Sequence, residues 1–311
     1  MAAEQLAERQ GMAVNAETLR GWLLANGVPH FQRRKRRHRA GRERRAPVGE
    51  RIQREGSHHD WLEGRGPRGV RMASIDDASS RVSARFYPYE GTIPARDRCQ
   101  RYVTRDGIPL AVYADTPTTY RSPAEPTVEA QLAGTKPQSQ FGRALTELGV
   151  DLIAAHSPQA KGRVERLFTT VHDRRIKERR LAGSATLEDA NRFLEGDRPR
   201  DNQRVAVTPA QTADLHRPTR PIRELERSVC LKTTRCLRKD FTIGPEKRLY
   251  QGHATLRATH VVVEAHVEGT MRLTHQGRSL GFHAIPERPV PAAEAPAVSR
   301  SRRPITQKSA T

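Results

Sequence analysis

From Gly49 onward the chain alternates short apolar runs with Gly and Pro breaks, and this order of elements restricts the fold more than any other feature of the sequence. Runs at 52–62, 69–76, 81–88 and 109–115 have strand length and are bounded by turn residues. A helix over 138–148, a strand over 150–155 and a long helix from about 159 to 182 follow. Three strands in a meander and then strand–helix alternation specify an α/β sheet, partly antiparallel and partly parallel. A weaker helix covers 94–106, with Pro94 acceptable only in its first turn, and 117–136 reads as a loop. In the long helix Val164, Phe168 and Val171 make an apolar stripe that packs on the sheet, which leaves Glu165 at its margin, facing a cleft.

The flanks differ in kind. Residues 3–10 form a helix ending at Gly11, and a second helix starts after the N-cap Asn15 and runs to Gly27. In it Leu19, Trp22 and Leu23 are expected to share a buried face, with Glu17 and Arg20 off it. Two helices joined by a short turn fit a truncated helix-turn-helix whose second helix, carrying Arg20, enters a major groove; an ordinary helical hairpin is the plainer reading. Behind the core, a helix capped by Thr186 and a Pro-rich connection at 208–221 lead into short alternating segments at 228–235, 247–256, 259–266 and 270–275, a small β domain. The Pro/Ala/Ser/Arg-rich end from 285 reads as a disordered tail. The divisions are therefore 1–29, a basic arm at 30–48, the core at 49–206, a linker at 207–226, the β domain at 227–284 and the tail at 285–311.

Charge narrows the partner. Lys and Arg number 55 against 35 Asp and Glu, a net +20, and such a field favours a polyanion over a small neutral substrate. Much of the excess lies between Arg33 and Arg45, where Arg33, Arg34, Lys35, Arg36, Arg37 and Arg39 follow one another with almost nothing apolar. Charges at that density repel and keep the segment extended, so it reads as an arm that neutralises phosphates without choosing a sequence. With no run of about 18 apolar residues and no signal peptide, the expectation is a cytoplasmic protein that works on nucleic acid rather than at a membrane. Cys99, Cys230 and Cys236 have neither disulfide-framework nor zinc spacing.

The stretch from His156 to Phe168, HSPQAKGRVERLF in one-letter form, places Glu165 behind a Ser-Pro break and among Lys161, Arg163 and Arg166. A carboxylate in that setting suits metal-assisted chemistry on a phosphodiester, the acid holding the ion and the basic residues the nucleic acid. A helix start with ordinary surface charge is the alternative.

Four runs together carry a resemblance: EGSHHDW (55–61), SIDDASSR (74–81), YAD (113–115), and SQFGRALTELG followed by HSPQAKGRVER (139–166). On them the chain resembles bacterial insertion-sequence transposases of the ISNCY type, which carry the catalytic core of the retroviral integrase superfamily. The resemblance implies a ribonuclease H-like mixed-sheet core, with a helix-turn-helix remnant before it and a small β-barrel-like domain behind it. It further implies three acids in the order Asp, Asp, Glu holding two Mg2+ (or Mn2+) ions, double-stranded DNA (element ends and target) as partner, a homo-multimer on that DNA, and a location at the bacterial nucleoid. It carries the second acid onto Asp115 and the third onto Glu165.

Where the family has its first Asp, this sequence has Glu55. The extra methylene moves the carboxylate by roughly 1 Å, a displacement that can lower a rate about a hundredfold, so impaired catalysis is expected. Asp60 as a replacement would require the strand to shift register, and Asp76 as a ligand competes with its ordinary role at a strand end. His58 and His59 point to opposite faces and are expected to make polar or structural contacts. Arg51 and Arg54 stand where a central strand should be apolar, so either that strand is frayed or the arginines reach solvent or DNA. Together with the charged helix after Glu90, these departures leave two readings open: an active strand-transfer enzyme, and a decayed copy that only binds DNA.

Overall fold

The computed structural model describes residues 2–28, 43–114, 137–154, 174–238, 240–244, 248–252 and 258–286. The chain divides into two compact units, Met1–Leu231 with His266–Gly269, and Lys232–Ala265 with Thr270–Thr311.

The first unit is built on the strands β1 (Arg51–His59), β2 (Gly69–Asp76), β3 (Val82–Tyr87), β4 (Ala111–Ala114) and β5 (Asp151–Ala154), ordered β3-β2-β1-β4-β5. The β1–β2 and β2–β3 pairs are antiparallel, while β4 runs parallel to both β1 and β5. This is the mixed sheet of a ribonuclease H-like core, with β1 at its centre. Helices cover both faces: α3 (Thr92–Asp106), α4 (Gln140–Glu147) and α7 (Ile222–Val229) on one, and α6 (Leu187–Val205) with α5 (174–181) on the other. On the first face Met72 and Val112 pack with Val103, Phe141, Leu145 and Leu225. On the second, Trp61, Leu62 and Phe86 pack with Leu187, Ala190 and Leu194. Thr186 and Asp189 cap α6 reciprocally, and Pro94 lies in the first turn of α3.

Helix α7 is not among the elements read from the sequence, although its apolar residues recur at helical spacing. It occupies the end of the expected linker and the start of the expected 228–235 strand, and the strand there, β6, runs Leu231–Cys236. Ile222, Leu225 and Val229 lie on one face, but the helix is only eight residues long and follows a Pro-rich approach, so contact of Leu225 and Val229 with the core fixes it.

Two further expectations are overturned. Strand β1 is neither frayed nor turned outward, since Arg51 and Arg54 are buried within it. Arg51 forms an ion pair with Asp77, to which Gln53 also donates, and its guanidinium lies 5.8 Å from the centre of the Tyr113 ring. Arg54 lies 5.0 Å from that of Phe141 and donates to the Ala95 carbonyl at 3.2 Å. The arginine stems fill core space while the heads find a carboxylate, a carbonyl or a π-face, which offsets much of the penalty of burying the charge, although the Nε of each has no hydrogen-bond partner among the described residues. The charged helix α3 likewise keeps its regularity because its arginines serve as anchors: Arg96 donates to the Val229 carbonyl and Arg98 to the Ser83 carbonyl. Breaking the buried Arg51–Asp77 pair should be costly. Arg51→Leu is expected to lower the free energy of unfolding by about 3–5 kcal/mol in urea denaturation, and a loss below about 1 kcal/mol would show that the pair is dispensable.

The amino-terminal helices α1 (Ala2–Gln10) and α2 (Ala16–Ala25) form as expected, with the Asn15 side chain accepting from the Glu17 amide at 2.9 Å. The apolar face of α2 is a correction: it has no buried residue, and Trp22 and Leu23 are 52% and 39% exposed. Ion pairs hold α1 to the core, Glu4 to Arg174 at 2.6 Å and Glu8 to Arg200 at 2.7 Å, whereas no described element covers the Trp22 face of α2.

In the second unit β6, β9 (His260–Ala265), β10 (Met271–His275) and β11 (Arg278–Leu280) form one sheet, and β7 (Thr242–Ile243), β8 (Leu249–Gly252) and β12 (Phe282–Ile285) another. Ile243, Val261, Val263 and Leu273 make a common core, and no closed barrel is formed among the described residues. No described helix is long and apolar enough to cross a membrane.

Candidate active site

Glu55 sits midway along the central strand, half-buried and directly opposite Ala73 of β2. Alternation along β1 puts its side chain on the face shared with Arg51, Gln53 and Ser57. Ser57 is opposite Arg71, and residues directly opposite in an antiparallel pair share a face, so Glu55 and Arg71 project from one side of the sheet. Arg71 is wholly buried: desolvation draws its pKa down to about 10, the negative charge of Glu55 works in the other direction, and Arg175 adds to the lowering. The first candidate acid therefore lies within the field of a buried cation.

Arginine–aromatic stacking organises this face. Arg71 lies 4.7 Å from the centre of the Trp61 ring, and Arg179 of α5 lies 5.1 Å from it and 4.6 Å from that of Phe86. Burial, with Arg71 and Arg175 nearby, takes the pKa of Arg179 down to about 9. Arg175 pairs with Glu178 at 3.0 Å and with Asp197 and Asp201 of α6. Through these two arginines α5 docks on the sheet face that carries Glu55. Trp61 is the keystone, fully buried and donating from Nε1 to the Ser57 carbonyl at 3.0 Å. Trp61→Ala is expected to cost about 3–5 kcal/mol, read as a lowered denaturant midpoint, and an unchanged midpoint would contradict this role.

The residues around Glu55 are already committed. Gly56 leaves room for Glu90, since a Cβ there would stand 2.6 Å from both carboxylate oxygens. Glu90 is held by His58 Nε2 at 2.8 Å, and the His59 ring meets Trp61 edge-on at 5.6 Å. The two histidines thus take separate structural contacts. Asp60 lies beyond the end of β1 and accepts from the Gly64 amide at 3.1 Å. Asp76 accepts from the Gly49 amide at 2.9 Å and from the Ser79 hydroxyl at 2.6 Å. Asp76 and Asp77 are both buried, Asp76 in these contacts and Asp77 in its ion pair with Arg51. Glu90 is an acid beside Gly56 that the sequence does not single out, because its approach is tertiary and has no local signal.

Strand β4 ends at Ala114, one residue before Asp115. Asp115, Glu165, Lys161, Arg163, Arg166 and the arm residues Arg33, Arg34, Lys35, Arg36, Arg37 and Arg39 lie outside the described residues. Arg20 is on α2, paired with Glu17 at 3.0 Å and 40% exposed. Among the described residues no three His, Cys, Asp or Glu side chains come together as a metal-ligand set.

No family model matches the chain. Over 292 residues it is 34% identical to the putative transposase y4bF of Sinorhizobium fredii, covering 92% of this chain and 63% of that protein. Over 155 residues it is 34% identical to the transposase for insertion sequence IS1202 of Streptococcus pneumoniae, covering 49% of this chain and 32% of that protein. By sequence, then, the chain is a homologue of proteins named transposases, and it spans less than two thirds of the length of either. Among solved structures, the HTLV-2 integrase catalytic core domain in complex with magnesium aligns with 49% of this chain and 85% of its own, at 13% identity and a TM-score of 0.37.

Proposed function

We propose that the protein is a DNA transposase of the integrase superfamily that cleaves strands at insertion-sequence ends and joins them to target DNA, with Glu55, Asp115 and Glu165 as its three acids. The observation that carries this reading is the position of Glu55 at the centre of a β3-β2-β1-β4-β5 sheet whose neighbouring strand β4 leads directly into Asp115. β1 and β4 run parallel with Gln53 opposite Tyr113, and Glu55 and Asp115 each follow two residues later in sequence. Similarity to transposases over 92% of the chain supports the same reading.

An all-carboxylate donor set fits hard divalent cations such as Mg2+ or Mn2+. Bound there, two such ions would polarise the attacking and leaving oxygens of an in-line displacement. The chain's own part is to fix the carboxylates: the β1 ladder holds Glu55, and α5, anchored by Arg175 and Arg179, presses on the same face. Arg20, the basic arm at 33–39 and Lys161, Arg163 and Arg166 would hold double-stranded DNA through its phosphates, and bringing two element ends together calls for a homo-multimer. The test is cleavage of DNA carrying the element ends with Mg2+ or Mn2+ and with chelator; cutting that persists in chelator would contradict the proposal.

One observation favours a second reading, a protein that binds DNA without cutting it. Glu55 is longer than the Asp expected there and stands in the field of buried Arg71, which competes for its charge. In that case neither the parent nor a corrected variant cuts, and salt-dependent binding remains.

A further inference from the structure

A cleft of about 610 Å3 opens along the outer edge of β3, between α3 and α6. Its lining holds seven arginines, Arg85 and six named below, against four carboxylates, Asp97, Glu195, Asp201 and Glu268. Arg98, Arg101 and Arg105 come from one face of α3, spaced three and four residues apart, and Arg175 and Arg198 come from the helices across the sheet. Arg71 on β2 lines the same cleft, and its charge is felt at Glu55.

Some of this cationic capacity is unspent. Arg98 is only 3% exposed, and although it donates from Nη2 to the Ser83 carbonyl at 2.7 Å, its Nε has no hydrogen-bond partner. Leaving a buried guanidinium donor unmet is costly unless a ligand completes it. Arg198 is half-buried and makes no ion pair among the described residues. Guanidinium forks match phosphate oxygens in pairs, and the volume is that of an ordinary ligand site.

We propose that this cleft, whose lining does not include Glu55, is a phosphate-binding groove that holds the backbone of a nucleic-acid strand along the β3 edge. The choice of nucleic acid over other anions rests on the transposase reading. The cleft itself does not.

The test uses the full chain and a labelled duplex, with affinity measured between 50 and 200 mM salt. Arg101→Gln with Arg198→Gln is compared with the parent and with a control of equal charge away from the cleft, Arg180→Gln with Arg192→Gln. The cleft pair is expected to flatten the slope of log K against log salt by about 0.9 for each phosphate no longer neutralised, and the control pair to leave it near the parent's value. An equal effect of both pairs reduces the groove to general charge and overturns the proposal. Inorganic phosphate that raises the thermal midpoint of the parent but not of the cleft variant, with an unchanged DNA slope, would assign a free phosphate instead and also overturn it. Asp115→Asn tests the other reading independently, because it should stop cleavage without altering the slope.

Discussion

Asp115→Asn and Glu165→Gln are each expected to lower metal-dependent cleavage of end-containing DNA by about a thousandfold, a loss typical of removing one preorganised charge from a reacting centre. Both substitutions keep shape and hydrogen-bonding capacity and remove only the negative charge, so fold and DNA affinity should stay near parental values. Asp115 directly follows the buried strand β4, and Glu165 belongs to the run of basic residues most specific to the resemblance. An amide at either position cannot supply the charge that a divalent ion requires. If either variant cuts as well as the parent, the assignment of that acid is wrong.

Glu55→Asp is expected to act in the opposite direction and raise cleavage by about a hundredfold, the reverse of what a misplacement of roughly 1 Å costs. The backbone around Glu55 gives the substitution a definite meaning. β1 is the central strand, paired with β2 from Ile52 to His59 and with β4 at its start, and its register is pinned by buried Arg51 and Arg54. The main chain therefore stays in place and the carboxylate draws back by one methylene. A shorter side chain also changes its separation from the buried Arg71 charge. The same substitution should leave the salt dependence of DNA binding unchanged, which separates a repaired site from a general gain in affinity.

The architecture was legible where periodicity and turn residues act locally. β2 at 69–76 and the capped start of α6 lie where the sequence puts them, and β3 and α4 deviate by a residue or two at their ends, because each is specified by its own alternation or cap. What escaped was decided by tertiary partners. Arg51 and Arg54 look like damage to a central strand until Asp77, Tyr113, Phe141 and the Ala95 carbonyl are found around them, and those partners are distant in sequence. Arg96 and Arg98 mislead for the same reason. Trp22 and Leu23 fail in the other direction: their spacing promises a buried face, but burial needs a covering element, and spacing alone does not supply one. Of the candidate site, Glu55 was legible as a strand position, whereas its neighbour Arg71 and the proximity of Glu90 to Gly56 were not, since both arise from pairing and packing between segments.

The most direct test of the central claim, a three-acid site limited at its first position, is a cleavage assay of the parent and Glu55→Asp side by side. End-containing DNA is incubated with Mg2+ or Mn2+, with Asp115→Asn and a chelated sample as blanks. The account predicts weak metal-dependent cutting by the parent, a rise of about a hundredfold in Glu55→Asp, and none in either blank. Equal cutting by parent and Glu55→Asp, or none by both while they bind DNA with the same steep salt slope, would contradict it.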